Sequence, residues 1–189
     1  MINKEEHNLD NLKAFEPVMT DRLILHRPSD RDTEEIFERY AGDPEVTRYL
    51  GFRTHTSIDD TKEFLLYSDA QWQQWPAGPL LIRLRENHRL IGSTGLAFET
   101  SYRAMTGYIL AHKAWNKGYA TEALNEIIEI SKMTKMRRLS AICHIQQQVS
   151  WKVLEKCGFL REGRLRSYTI FPNLNESEPQ DVYCYSLII

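Results

Sequence analysis

The chain has 189 residues, which suits one domain with a full core or at most two small ones. Hydrophobic residues make up 42% and charged residues 26%, the balance of an ordinary soluble globular protein. A formal net charge of −2 leaves no basic footprint and argues against a nucleic-acid binder.

Residues 1–19 are polar, lack steady periodicity and read as a tail or short helix outside the core. Arg22–Arg27 alternates as a first strand. Pro28-Ser29-Asp30 offers a helix start, with Ile36, Phe37 and Tyr40 at helical spacing, and Asp43-Pro44 opens a second short helix. A third helix is predicted over 58–73 behind the N-cap residues Thr56 and Ser57, and is stopped by Pro76 and Pro79. Residues 80–84 and 90–96 read as hairpin strands, followed by a strand over 102–112 and a helix over 119–134. A strand over 139–145, a short helix over 149–156 ended by Gly158, and strands near 160–171 and 181–188 complete the chain. The layout is one mixed α/β domain over 20–189, with a strand–helix–strand–helix unit inside an otherwise antiparallel sheet.

Residues 1–6 lack the apolar stretch of a signal peptide, and no later run approaches membrane-spanning length. Cys143, Cys157 and Cys184 show no pairing pattern and read as reduced thiols. A cytoplasmic location is therefore expected. No Cys or His stands at zinc-ligand spacing, so no metal requirement is expected either.

The stretch Trp115-Asn116-Lys117-Gly118-Tyr119-Ala120 lies where a strand ends and a helix begins. It is neither a P-loop nor a dinucleotide-binding glycine turn. One reading is a structural turn with an exposed lysine. The other is a pyrophosphate seat: Gly118 lets backbone approach a ligand, Ala120 keeps the approach open, and the amides from Asn116 to Thr121 surround it at the positive end of a helix.

Gly107-Tyr108-Ile109-Leu110, the run from Trp115 to Ala123, and the run from Ser150 to Phe159 closely resemble the GNAT acetyltransferases. The chain is most similar to the RimJ/RimL branch, to which Thr20-Asp21-Arg22-Leu23 and Glu162–Arg166 also conform. The resemblance covers residues 20–189. It implies a six- to seven-stranded, mostly antiparallel sheet with a splayed central strand pair and helices on both faces. It implies acetyl-CoA as cosubstrate, an amine as acceptor, and a monomer or homodimer. Cofactor contacts are implied at Leu110, His112, Asn116, Lys117, Gly118, Tyr119, Ala120, Thr121, Gln147 and Ser150. By the same resemblance the Leu110 amide polarises the thioester carbonyl. Trp115 stands where the superfamily usually has Arg or Gln.

Acetyl transfer needs a neutral amine, and the departing thiolate benefits from a proton donor. Many members of the superfamily place a tyrosine four residues before the Gly-Phe glycine, but that position here is Leu154. Ser150, one helical turn earlier on the same face, is the donor that the resemblance implies; a serine there also suits a helix N-cap. Gln147 stands where the branch usually has asparagine and keeps an amide, though Gln146-Gln147-Gln148 also reads as a solvated loop. The glutamate that some members use as base is replaced by Ala104. Glu99 is a substitute by location only, and His88 and His112 have suitable intrinsic pKa values in places where histidines are usually structural. Residues 43–76 and the loop near 172–180 are expected to flank the acceptor, with Tyr49, Phe52, Trp72 and Trp75 as walls. A catalytically silent acyl-CoA-binding domain and a plain interaction module are the rival classes.

Overall fold

The computed structural model describes residues 17–189. Of the segment expected to lie outside the core, residues 1–16 fall outside the described part. The end of that segment departs from expectation: Val18–Met19 forms a two-residue strand, β1, and Val18 packs on the core. It pairs with β2 (Leu23–His26) and raises the sheet from the expected six or seven strands to eight.

The strands β3 (Pro79–Leu84), β4 (Leu90–Thr100), β5 (Arg103–Leu110), β6 (Arg138–His144), β7 (Leu160–Phe171) and β8 (Asn175–Ile188) complete the sheet. Their order is β1-β2-β3-β4-β5-β6-β8-β7, and every neighbouring pair is antiparallel except β5–β6. β8 begins at Asn175, six residues before the expected start, because Phe171 already pairs with Asn175 across a tight turn.

Successive strand side chains point to opposite faces, and the chain uses this to build a core on each side. Leu80 and Ile82 enter one core while Leu81 enters the other. The first core is covered by α4 (Tyr119–Met133) and α5 (Gln148–Lys156). The second is covered by α1 (Thr33–Ile36), which continues as a π turn over Phe37–Ala41, by α2 (Pro44–Thr47), and by the first half of α3 (Ile58–Gln74). Ser57 and Asp60 form a capping box on α3, which explains why that helix begins where the sequence says it should.

Helix α4 is amphipathic at the 3.6-residue period, with Ala123, Leu124, Ile127 and Ile130 almost fully buried. It therefore fixes the position of the loop that precedes it. Ile127→Ala should cost about 2–5 kcal/mol through lost burial and a residual cavity. Leu160→Ala, at a side chain 73% exposed, should stay within about 0.5 kcal/mol. Urea denaturation of the two variants beside the parent checks both.

Candidate active site

The site starts where β5 and β6 part. They pair only at Arg103–Arg138, Ala104–Leu139 and Met105–Ser140. Beyond Met105, β5 is laddered to β4 alone, and β6 beyond Ser140 to β8 alone, which opens a wedge between them. Ala111 N–H donates to the Ile91 carbonyl at 2.8 Å, so the alternation of an antiparallel ladder turns the neighbouring Leu110 N–H away from β4 and toward the wedge. The Leu110 carbonyl accepts from Trp115 Nε1 at 2.7 Å. Trp115 thus ties the end of β5 to the loop that follows, a role that its departure from the usual Arg or Gln did not reveal.

That loop enters α4 through Gly118, which adopts φ +80°, a left-handed conformation that side chains resist. The helical ladder begins with Glu122 N–H bonding the Gly118 carbonyl at 3.1 Å, leaving the amides of Tyr119, Ala120 and Thr121 as open donors at the helix start. Asn116, Lys117 and Gly118 are exposed, so a ligand can reach these donors.

A knot of hydrogen bonds holds the loop from behind. Arg22 donates through Nε to Glu122 at 2.6 Å and through Nη1 to the Lys117 carbonyl at 3.0 Å, and its guanidinium lies over the Tyr119 ring. Glu122 also accepts from Thr20 Oγ1 at 2.6 Å and from the Arg22 backbone N–H at 2.8 Å. Burial alone would raise the Glu122 pKa, but these donors outweigh it and hold the carboxyl below its usual range.

On the other side of the wedge, α5 brings Gln147 and Ser150. Gln147 is the N-cap residue of α5, and its half-buried side-chain amide makes no hydrogen bond among the described residues. Ser150 therefore sits inside the first turn and is not the cap, which removes the alternative reading of that serine. Tyr108 OH donates to the Ser150 carbonyl at 2.7 Å and stands 3.2 Å from Ser150 Oγ. Burial raises the Tyr108 pKa, so the phenol is neutral and its one proton is committed. Tyr108 was visible only as part of the Gly107–Leu110 run; nothing in the sequence pointed it at Ser150.

His144 ends β6 at the mouth of the wedge and was also missed. It stacks on Tyr49 with centroids 5.0 Å apart and meets Phe171 edge-on at 5.2 Å. Its Nδ1 accepts from the Gln146 N–H at 3.2 Å, and burial lowers its pKa, so the neutral ring carries its proton on Nε2 and braces the Gln147 loop.

The remaining expected residues separate. His112 is exposed in a single 3-10 turn, edge-on to Trp115 and 3.9 Å from Glu45. Glu99 is not brought to the wedge. It is paired with Arg103 at 2.8 Å near the closed end of β4–β5, where Phe98 faces Ala104. Leu110 lies six residues farther along β5, about 20 Å at the usual strand rise.

On the opposite face of β4–β5 runs an apolar groove of about 330 Å³, walled by Leu50, Phe52, Phe64 and Tyr67. Of the expected walls only Phe52 lines it. Trp72 is buried and donates to the Pro79 carbonyl at 2.8 Å, and Trp75 stacks on Phe98. The β7–β8 turn does reach this side. Asn173 Nδ2 donates to the Thr47 and Phe52 carbonyls, both at 2.8 Å, and its Oδ1 accepts from the Thr54 N–H at 2.9 Å. A second hollow, of about 350 Å³, is lined by Thr20, Asp21 and the α4 carboxylates Glu122, Glu126 and Glu129.

A wedge between parallel strands, an amide turned into it and a helix start beneath it form the candidate cofactor site. Residues 22–160 match the acetyltransferase (GNAT) domain family, and the chain belongs to that family. The uncharacterized N-acetyltransferase YoaA of Bacillus subtilis (strain 168) is 30% identical over 182 residues, covering 92% of this chain and 97% of that protein. A solved GNAT-family acetyltransferase from Bacillus anthracis is 25% identical with a TM-score of 0.77, covering 90% of this chain and 96% of the other. The ribosomal L7/L12 α-N-protein acetyltransferase RimL, solved in complex with coenzyme A, shares the fold at a TM-score of 0.81 and 18% identity, covering 92% and 97%. Among the described residues no group of His, Cys, Asp and Glu is placed to hold a metal ion, and no helix is long and apolar enough to cross a membrane.

The Glu122 knot yields a pH prediction. A carboxyl with a folded pKa below its unfolded value contributes stability above the unfolded value, and that contribution fades as pH falls through the folded one. Glu122→Gln should therefore be less stable than the parent at pH 7, and the gap should close on acidification below about pH 4.3, the unperturbed glutamate range. Denaturant midpoints measured from pH 7 to pH 3 on both proteins test it; a gap that persists unchanged at the acid end would count against the knot.

Proposed function

We propose that the protein transfers an acetyl group from acetyl-CoA directly to a primary amine, as a cytoplasmic enzyme of the RimJ/RimL-like branch. The observation that carries this reading is the Leu110 N–H facing the wedge above the Gly118 helix start. The open amides of Tyr119, Ala120 and Thr121 suit a pyrophosphate, with Lys117 beside them. The free Gln147 amide suits the amide-bearing arm of the cosubstrate.

In the transfer, the amine nitrogen uses its lone pair to bond the acetyl carbon. Leu110 N–H donates to the carbonyl oxygen as negative charge builds there. Sulfur leaves with the carbon–sulfur electron pair and takes the proton of Ser150 Oγ; the proton shed by the amine returns to Ser150 through water. None of the groove-lining residues is a carboxylate or histidine, so the amine must enter neutral.

Ser150 is not the helix cap, so its loss should leave the fold intact. Ser150→Ala should lower turnover by about 10²–10⁴-fold, the usual span of a general acid, with acetyl-CoA affinity and melting temperature little changed. A thiol-release assay with calorimetry on the same preparation reads all three, and undiminished turnover would remove Ser150 from the mechanism. A protein that binds acetyl-CoA yet releases no thiol with any amine would be the silent binding domain instead.

Gly118→Ala should weaken acetyl-CoA binding. A Cβ in a left-handed conformation is strained by about 1–2 kcal/mol, and a loop that relaxes to relieve this no longer presents its amides. Calorimetry should show a loss of about tenfold for each 1.4 kcal/mol of that strain. Full affinity in a folded variant would take the loop out of the site.

A further inference from the structure

We propose that the acceptor is a small primary amine with an aromatic or branched apolar body, seated in the groove over Gly95 and Gly107. The inference rests on the acetyl-transfer reading above and names its substrate class.

Part of the groove floor lacks side chains, and it is open at Gly107, whereas the Cβ position of Gly95 is closed by the Gly78–Pro79 backbone. Gly95 and Gly107 face each other across the β4–β5 ladder, and a Cβ built on Gly107 meets nothing within 4 Å. A flat ring can lie on this patch between the walls of Phe52, Phe64 and Tyr67. Phe52 and Tyr67 are 42% and 48% exposed and stand on the same groove, so their open ring surface is available to an apolar occupant. The groove reaches the level of the proposed reaction centre: Tyr108, whose hydroxyl meets Ser150, is one of its lining residues, and Ile109 at its inner end directly precedes Leu110.

The chemistry of the lining narrows the occupant. No Asp, Glu, Lys, Arg or His lines the groove, so the second ammonium of a polyamine would enter an apolar space without a counter-charge. A peptide would bring a donor and an acceptor with every residue. Thr94 and Thr106 donate to the Gly107 and Gly95 carbonyls, both at 2.9 Å, which commits both hydroxyl protons and leaves those two floor carbonyls, already in the strand ladder, without a spare acceptor site. Tyr108 OH is committed to Ser150. The free polar group at the inner end is Ser93. The buried Tyr40 hydroxyl lies beside it, and because a hydroxyl oxygen has two acceptor sites, Ser93 can accept from an amine N–H even next to that phenol. One polar contact beside the reacting carbonyl and an apolar bed of about 330 Å³ suit a small amine held whole, at the lower end of the about 300–1,000 Å³ usual for such sites.

The test uses the full chain with 2-phenylethylamine, spermidine and a tetrapeptide bearing a free N-terminal serine. Thiol release from acetyl-CoA gives kcat/KM for each, and calorimetry on the CoA-saturated protein gives amine binding. We expect kcat/KM for 2-phenylethylamine to exceed the other two by about tenfold or more, the range over which pocket complementarity discriminates. Gly107→Leu fills the open floor and should lower that value by about tenfold or more, with acetyl-CoA affinity unchanged. Tyr67→Glu, at an exposed rim position, should move preference toward spermidine. A preference for spermidine or the peptide overturns the proposal and leaves acetyl transfer standing. Binding of 2-phenylethylamine without thiol release upholds the occupant and overturns the transfer. An aryl amine neither bound nor acetylated, or preferences unmoved in both folded variants, overturns the proposal outright.

Discussion

The site depends on one geometric fact: β5 and β6 are hydrogen-bonded for three residue pairs and then diverge. A continuous parallel ladder would saturate the backbone groups of β5 and bury them. Divergence after Met105 leaves the inward-facing amides of β5 without strand partners while β4 continues to hold the strand from its other side. The candidate site is therefore backbone, kept in place by a complete ladder on one edge and exposed by an incomplete one on the other. Tyr108 reinforces this by crossing from β5 to the first turn of α5, so the two walls of the wedge are joined by a hydrogen bond.

The loop below the wedge shows why distant motifs occur together. The opening Thr20-Asp21-Arg22-Leu23 and the helix-start Thr121-Glu122-Ala123 are about a hundred residues apart, yet Thr20, Arg22 and Glu122 form one hydrogen-bonded unit. Arg22 reaches past Glu122 to the Lys117 carbonyl, so a cation lies against the back of a loop whose front carries open amides. A left-handed Gly118 costs little in such a place, because the flanking residues are pinned and the glycine has no Cβ to resist.

The apolar groove is assembled differently. Its walls come from the segment around α2 and α3, and its floor from β4 and β5. Asn173 in the β7–β8 turn clamps the chain near Phe52, with Arg53 and Glu176 paired alongside. Three stretches far apart in the chain must fold before the groove has a shape. The aromatic residues there look alike in sequence but diverge in role: Phe52 becomes a wall, Tyr49 a lid on His144, and Trp72 a core residue.

The sequence by itself determined what local physics determines. Alternation placed most of the strands, 3.6-residue periodicity and caps placed α3 and α4, and glycine at a strand-to-helix junction marked the loop. The ordered runs around Gly107, Gly118 and Ser150 carried the family resemblance, and the family model matches residues 22–160. Only the tertiary structure decided what depends on who stands opposite whom. Glu99 is removed from the site because β4 runs on past the level of Leu110 to the closed end of the hairpin. Ser150 is freed from capping because Gln147 begins the helix, and Trp115 is given a partner in the Leu110 carbonyl. Val18–Met19 becomes a strand because β2 offers an open edge, since two residues have no periodicity of their own to read. These are pairings between residues separated along the chain, and such pairings leave no periodic trace in either partner alone.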